Sequence, residues 1–250
     1  MSDTVLRTHQ LAYNYGFTQV LSSVDLCVPR GQVYGFLGRN GAGKTTTLKI
    51  LLGILVPKFG QIEFLGQTVN RMRPALKQRI GYVSQSQHFY GWMSGRQLGR
   101  FVAGFYPQWS PSTYAELLDH LGIDPRQRVR TLSGGTKMKL AVAIALATQP
   151  EILILDEPTA GVDPIARREI LDLLQHVAAT QQRTVLFSTH NIHEVEQIAD
   201  TVGVLHNGQL AYQGPVDGLL PHARQVTGRA LKDANLEAAF VALVVGDGQP

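Results

Sequence analysis

The chain has 250 residues, 44% of them hydrophobic, with 25 glycines, a formal net charge of +4 and a sequence pI near 9.3. That length and apolar content suit one large domain or two small ones and exclude a disordered chain. No apolar run approaches the roughly 20 residues of a membrane-spanning helix, Met1-Ser2-Asp3-Thr4 carries no leader pattern, and the single cysteine, Cys27, is read as a small core residue that suits a reducing compartment.

Residues 6–15 and 19–28 alternate apolar and polar side chains, predicting two antiparallel strands with one wet face and a turn at Tyr13-Asn14-Tyr15-Gly16. Residues 33–37 predict a buried strand and residues 46–52 the first turns of a helix. Between them, Gly38-Arg39-Asn40-Gly41-Ala42-Gly43-Lys44-Thr45, followed by Thr46, matches G-x-x-x-x-G-K-[ST] at every fixed position. The glycines let successive N–H groups turn inward as an anion cradle, and the helix N-terminus adds partial positive charge at the same point. Lys44 is placed to reach β- and γ-phosphates and the Thr45 hydroxyl to ligate Mg²⁺. The ligand predicted is a nucleoside triphosphate.

Residues 61–65 and 80–83 predict further strands, the second running into Ser84-Gln85. From 88 to 150 helix punctuation replaces strand signals, predicting a helical insertion. Ser110-Pro111 reads as N-cap and first turn, Leu117, Leu118 and Leu121 as an apolar face, and Gly122 as a stop. Residues 139–146, apolar on nearly all sides, predict a buried helix after Leu132-Ser133-Gly134-Gly135. Strands resume at 152–155 and end in Asp156-Glu157, at the strand end where ligands collect in open α/β sheets. There Asp156 is placed to hold Mg²⁺ and Glu157 to polarise an attacking water. Asp163-Pro164 caps a helix striped by Ile170, Leu174 and Val177, and residues 184–188 give the next strand, a parallel α/β pattern. Asn207-Gly208 predicts a hairpin. Residues from 215 onward read as helical, with a frayed tail at 246–250.

The basic clusters Arg71, Arg73, Lys77, Arg79 and Arg126, Arg128, Arg130 lack interleaved aromatics. They read as solvated faces rather than a nucleic-acid patch, and would equally suit an anionic membrane surface. His193 and Glu194 read as a solvated helix start, not a metal face, and Trp92 and Trp109 as core packing.

Taken together, these motifs make the chain resemble the nucleotide-binding subunit of an ATP-binding cassette (ABC) transporter, along almost its whole length. Leu132-Ser133-Gly134-Gly135 resembles the family signature, Gln85 its glutamine loop, Ala160-Gly161-Val162-Asp163 its D-loop and Ser188-Thr189-His190 its histidine switch. The resemblance implies a P-loop α/β ATPase with a mostly parallel sheet, an N-terminal antiparallel β subdomain and an inserted α-helical subdomain. It gives one domain over 1–250: a core from 1–87 and 151–214, a helical signature part at 88–150 and a helical extension at 215–250. It further implies adenine stacking on Tyr15 rather than Tyr13, a γ-phosphate contact by His190, and Gln85 reaching the metal and water. Ser133, Gly134, Gly135 and Asp163 would complete a site on a second cassette, for which a homodimer suffices. A transmembrane permease is the other implied partner, placing the chain on the cytoplasmic face of the membrane, with the exporter branch most similar. The insertion and the Gln85 loop would then form a groove for the permease, with Phe89, Tyr90 and Trp92 as contacts. One departure is Thr136, where the signature usually carries glutamine; its shorter side chain implies altered tuning.

Overall fold

The computed structural model describes residues 4–69, 71–228 and 235–245. The readings for Met1 to Asp3 and for the tail at 246–250 lie outside the described residues. Eleven strands form one sheet in the order β6-β5-β1-β2-β11-β10-β4-β9-β8-β7, with β3 paired to β1. These are β1 (Thr4–Tyr15), β2 (Thr18–Val24), β3 (Cys27–Pro29), β4 (Val33–Gly38), β5 (Phe59–Phe64), β6 (Gln67–Thr68), β7 (Ile80–Val83), β8 (Ile152–Asp156), β9 (Thr184–Thr189), β10 (Thr201–His206) and β11 (Gln209–Pro215). The run β7-β8-β9-β4-β10 is parallel throughout, whereas β1 pairs antiparallel with β2, β3 and β5. The helices are α1 (Lys44–Leu51), α2 (Pro74–Lys77), α3 (Gly95–Ala103), α4 (Pro111–His120), α5 (Gly134–Ala147), α6 (Pro164–Gln181), α7 (Ile192–Ile198), α8 (Leu219–Thr227) and α9 (Leu236–Val245).

Period-two alternation along a strand buried on both sides assigns its residues to two cores. On β8, Leu153 and Leu155 join α5 and α6 through Leu140, Val142, Ile170 and Leu174. Ile152 and Ile154 face the other way, into a core with Leu48 and Leu51 of α1 and Leu6, Leu21 and Phe64 of the antiparallel strands. The helical insertion α3–α5 leaves the sheet after β7 and returns at β8, and α5 is buried on nearly every side, as its composition predicts.

Three local expectations are corrected. The predicted turn at Tyr13 to Gly16 is strand as far as Tyr15, which pairs with Thr18, and the chain reverses at Gly16, with φ +57°. The predicted strand over 19–28 is broken into β2 and β3. At the break the buried Thr8 hydroxyl donates to Val24 O (2.7 Å) and accepts from Leu26 N–H (2.8 Å), so a side chain takes up two of the backbone groups there, beside the backbone bond from Thr8 N–H to Leu26 O (2.8 Å). Cys27 lies half-buried on β3 rather than in the core. The Ser110 and Asp163 caps, the Gly122 stop and the Asn207-Gly208 hairpin, whose φ values are both positive, form as predicted.

Candidate functional site

The site forms where β4, β8 and β9 end side by side. β4 delivers Gly38, residues 39–43 make the loop, and α1 begins at Lys44. Gly43 has φ +108°, and a Cβ there would lie 2.6 Å from Leu21 Cδ2, so only glycine lets the loop pack on β2. Asn40 and Gly41 are exposed, Ala42 is half-buried, and Thr46 is buried in the first turn of α1, which carries no acidic residue. The first N–H groups of a helix lack intrahelical acceptors, so this end is an open anion site.

Lys44 is buried and donates to Gly38 O (2.7 Å) and Arg39 O (3.3 Å), with its Nζ 3.0 Å from Glu157 Oε1. Glu157 Oε2 lies 2.9 Å from His190 Nδ1. The Glu157 backbone is left-handed, φ +46°, an uncommon state for a non-glycine residue that concentrates at functional sites. It turns the carboxylate off the strand axis toward Lys44 and His190. Thr45 Oγ1 donates to Asp156 Oδ1 (3.1 Å), as does Ser188 Oγ (2.7 Å), and Ser188 Oγ accepts from Glu157 N–H (3.0 Å). Burial first, and then the charge of Asp156, push the Tyr82 phenol up to about 12, so it stays neutral beside the site. Thr45 and Asp156 present hard oxygen donors only, the set that magnesium prefers. Among the described residues no group of three or more His, Cys, Asp or Glu side chains could hold a metal unaided.

A second group gathers at the start of α5. Ser133 caps that helix, accepting from Thr136 N–H (3.1 Å), and its Oγ is 2.8 Å from Thr136 Oγ1. A Cβ on Gly135 would lie 3.0 Å from Ala166 Cβ and 3.1 Å from Asp163 Oδ2, whereas one on Gly134 would meet nothing within 4 Å. Asp163 caps α6 through Ile165 and Ala166 N–H. The structure thus brings Lys44, Thr45, Asp156, Glu157, Ser188 and His190 together, and separately Ser133, Gly134, Gly135 and Asp163. Gln85 is exposed just past β7 and makes no hydrogen bond with either group. Tyr15 is 48% exposed, edge-on to Tyr13 with ring centres 4.9 Å apart.

The chain's similarity to known proteins agrees with this arrangement. A family model described as "ABC transporter" matches residues 21–160. The chain belongs to the ABC transporter family. The bacitracin transport ATP-binding protein BcrA of Bacillus licheniformis is 36% identical over 237 residues, 93% of this chain and 76% of that protein. A solved ATP-binding subunit of an ABC transporter superposes with TM-score 0.83 at 28% identity, over 96% of this chain and 99% of that one. The cbiO1 subunit from Clostridium perfringens, part of the cbiONQ ABC transporter complex, gives 0.76 at 32% identity, over 94% and 99%. As a member of this family the chain is an ATP-binding and ATP-hydrolysing subunit.

Sequence reading missed one support of the cassette. Glu194 is buried rather than solvated. It accepts from Thr159 Oγ1 (2.8 Å) and Thr189 Oγ1 (2.7 Å), tying the turn after β8 to the end of β9. The buried Arg167 Nε, which lacks a hydrogen bond, lies 3.8 Å from it. His193 does face solvent, paired with Glu196. Glu194→Ala is expected to lower unfolding stability by about 2–4 kcal/mol, since it leaves two buried hydroxyls without an acceptor. Urea denaturation checks this, and a loss under ~0.5 kcal/mol would show the site relaxing around the change.

Proposed function

We propose that ATP is hydrolysed at the Lys44–Glu157–His190 cluster, that two cassettes close around two nucleotides, and that the pair drives a separate permease for export. The observation that carries the reading is Glu157 held between Lys44 and His190 beside the Thr45–Asp156 pair. Lys44 and the α1 N-terminus bind the β- and γ-phosphates, and the adenine stacks on Tyr15. Thr45 and Asp156, with Gln85 reaching in, would hold Mg²⁺, which when bound offsets phosphate charge. Once phosphate oxygens draw Lys44 and His190 away, the Glu157 carboxylate is released to orient a water and take its proton. The test of the whole reading is phosphate release from ATP by purified protein, with Glu157→Gln as the control.

Export is supported by the likeness to the bacitracin transport protein. No described helix is long and apolar enough to cross a membrane. In this reading, supported by the likeness to transport ATP-binding subunits, the permease is a separate chain and this subunit works peripherally at the cytoplasmic face. A groove of about 1130 Å³ between α2 and α3, lined by Arg71, Arg73, Lys77, Phe101, Phe105 and Tyr106, supports docking there. Arg71, Arg73 and Lys77 on the groove's rim are exposed, as the sequence reading of a solvated face expected. The contact patch shifts from the sequence reading. Phe89 packs against the core, Tyr90 and Trp92 are exposed, and the aromatic run continues from Tyr90 to Phe101 (5.5 Å) and on to Phe105 (5.3 Å). Trp109, by contrast, packs inward as expected. Phe101→Asp with Phe105→Asp is expected to abolish co-fractionation with membranes carrying the co-expressed permease, while basal ATPase is unchanged. A double variant that still pellets with those membranes refutes the docking assignment.

A further inference from the structure

The helical subdomain contains two adjoining cavities remote from the nucleotide machinery in role and lining. The first, about 620 Å³, opens between α3 and α4, with Trp109, Tyr114, Leu118 and Ile123 as its apolar wall. It is kept in shape from both sides. A Cβ on Gly99 would run into the Tyr114 ring, and the Tyr114 hydroxyl, buried and therefore held protonated, donates to Gly95 O (2.8 Å). The second cavity, about 580 Å³, is lined by Trp92, Ser94, Gln97, Arg126 and Arg128. Arg96 and Pro125 line both, so the two meet there.

The frame around the arginines is fixed by backbone bonds. Arg96 N–H donates to Pro125 O (2.8 Å), Gly95 N–H to Gln127 O (3.2 Å), and Ser94 bridges Arg128. The guanidinium groups of Arg96, Arg100, Arg126 and Arg128 make no ion pair or hydrogen bond among the described residues. The neighbouring Asp124 carboxylate is occupied by Arg126 N–H (2.8 Å). One acid, Asp119, lines the apolar cavity, leaving a clear positive excess at the junction. Unpaired arginine forks select phosphate or carboxylate. The apolar wall behind them suits hydrocarbon, and both volumes fall within the ~300–1,000 Å³ of small-molecule sites.

We infer that the joined cavities bind one anionic amphiphile, its alkyl chain against Trp109, Tyr114, Leu118 and Ile123 and its phosphate or carboxylate head against Arg96, Arg126 and Arg128. Neither end alone accounts for the pair: a free anion leaves the apolar wall wet, and a nucleic-acid backbone leaves it empty. The site rests on this geometry and not on the exporter reading. Its consequence is local, because α4 packs on α5, the helix capped by Ser133.

The chain carries its own reporters, since its only two tryptophans line the two cavities, Trp109 the apolar one and Trp92 the basic one. In the Trp92→Phe protein, monomeric 12-bromododecanoate, carrying its heavy atom at the chain end, is expected to quench Trp109 saturably with one site per chain. Arg96→Gln with Arg126→Gln should raise the dissociation constant at least ~10-fold, the worth of one charge-assisted hydrogen bond. Ala115→Phe, at an exposed position on the cavity rim, should abolish the quenching while leaving thermal unfolding and basal ATPase unchanged, which separates a blocked site from a misfolded one. The inference is overturned by quenching that does not saturate, by equal quenching from a cationic amphiphile of the same length, or by inorganic phosphate competing as strongly as dodecyl phosphate. Binding to phosphatidylglycerol vesicles without saturable binding of the monomer also overturns it, assigning the arginines to a membrane surface instead.

Discussion

Glu157→Gln is expected to slow ATP turnover by at least ~10²-fold while leaving ATP affinity near that of wild type. Glutamine keeps the shape of the side chain and can still meet Lys44 through its carbonyl oxygen, so the phosphate-binding loop is undisturbed. What disappears is the base. Asp156 is committed elsewhere, its Oδ1 accepting from both Thr45 and Ser188 on the side assigned to the metal. Lys44→Ala makes the complementary loss: it removes the buried cation of the loop and leaves Oε1 of the buried Glu157 carboxylate without its partner, so ATP affinity should fall with turnover. Binding of a fluorescent ATP analogue and single-turnover phosphate release separate the two. Turnover surviving in Glu157→Gln removes Glu157 from the role, and unchanged affinity in Lys44→Ala undoes the loop assignment.

The residues legible in the sequence are those whose partners are fixed by covalent spacing. Gly38 to Thr45 can form only one loop between a strand and a helix, so Lys44, Thr45 and the helix end follow from the order of residues alone. Asp156 and Glu157 follow from standing at the end of an apolar strand. Glu194 did not follow, because its burial depends on Thr159 and Thr189 from other elements, and a glutamate in a first helical turn ordinarily faces water. Ser188 was visible as part of a motif, but its bridging of Asp156 and Glu157 depends on β8 and β9 being neighbours in register, Asp156 opposite Ser188. Likewise, Phe89 and Trp92 look alike in sequence, and only the path of the loop after β7 turns one inward and the other out. The break after β2 has the same origin, since the hydroxyl bonded to its backbone comes from Thr8, 16 and 18 residues upstream of Val24 and Leu26.

In the Glu157→Gln background, ATP is expected to convert monomer to dimer, and adding Ser133→Arg is expected to abolish that dimer. Each copy carries an incomplete pair of half-sites. Ser133 and Gly134 are exposed at the N-terminus of α5, where unpaired N–H groups favour an anion, yet Ser133 makes its bonds with Thr136 and not with the loop that holds Lys44. Gly135 cannot turn away, since Asp163 and Ala166 pack against it, so the signature is fixed facing outward. A second copy related by a two-fold axis would present its own loop to this surface and receive the same in return, which is the self-complementary geometry of a closed dimer. Thr136 fits the scheme with a smaller reach than glutamine: its hydroxyl sets the Ser133 rotamer and extends no further. Arginine at 133 removes the cap and places a long side chain across the open face at Gly134, where the γ-phosphate of the other copy's nucleotide must lie. Light scattering with and without ATP reads the outcome directly. A dimer that persists without nucleotide, or one that tolerates Ser133→Arg, would mean that the two half-sites do not complete each other and that the cassette closes on some other surface.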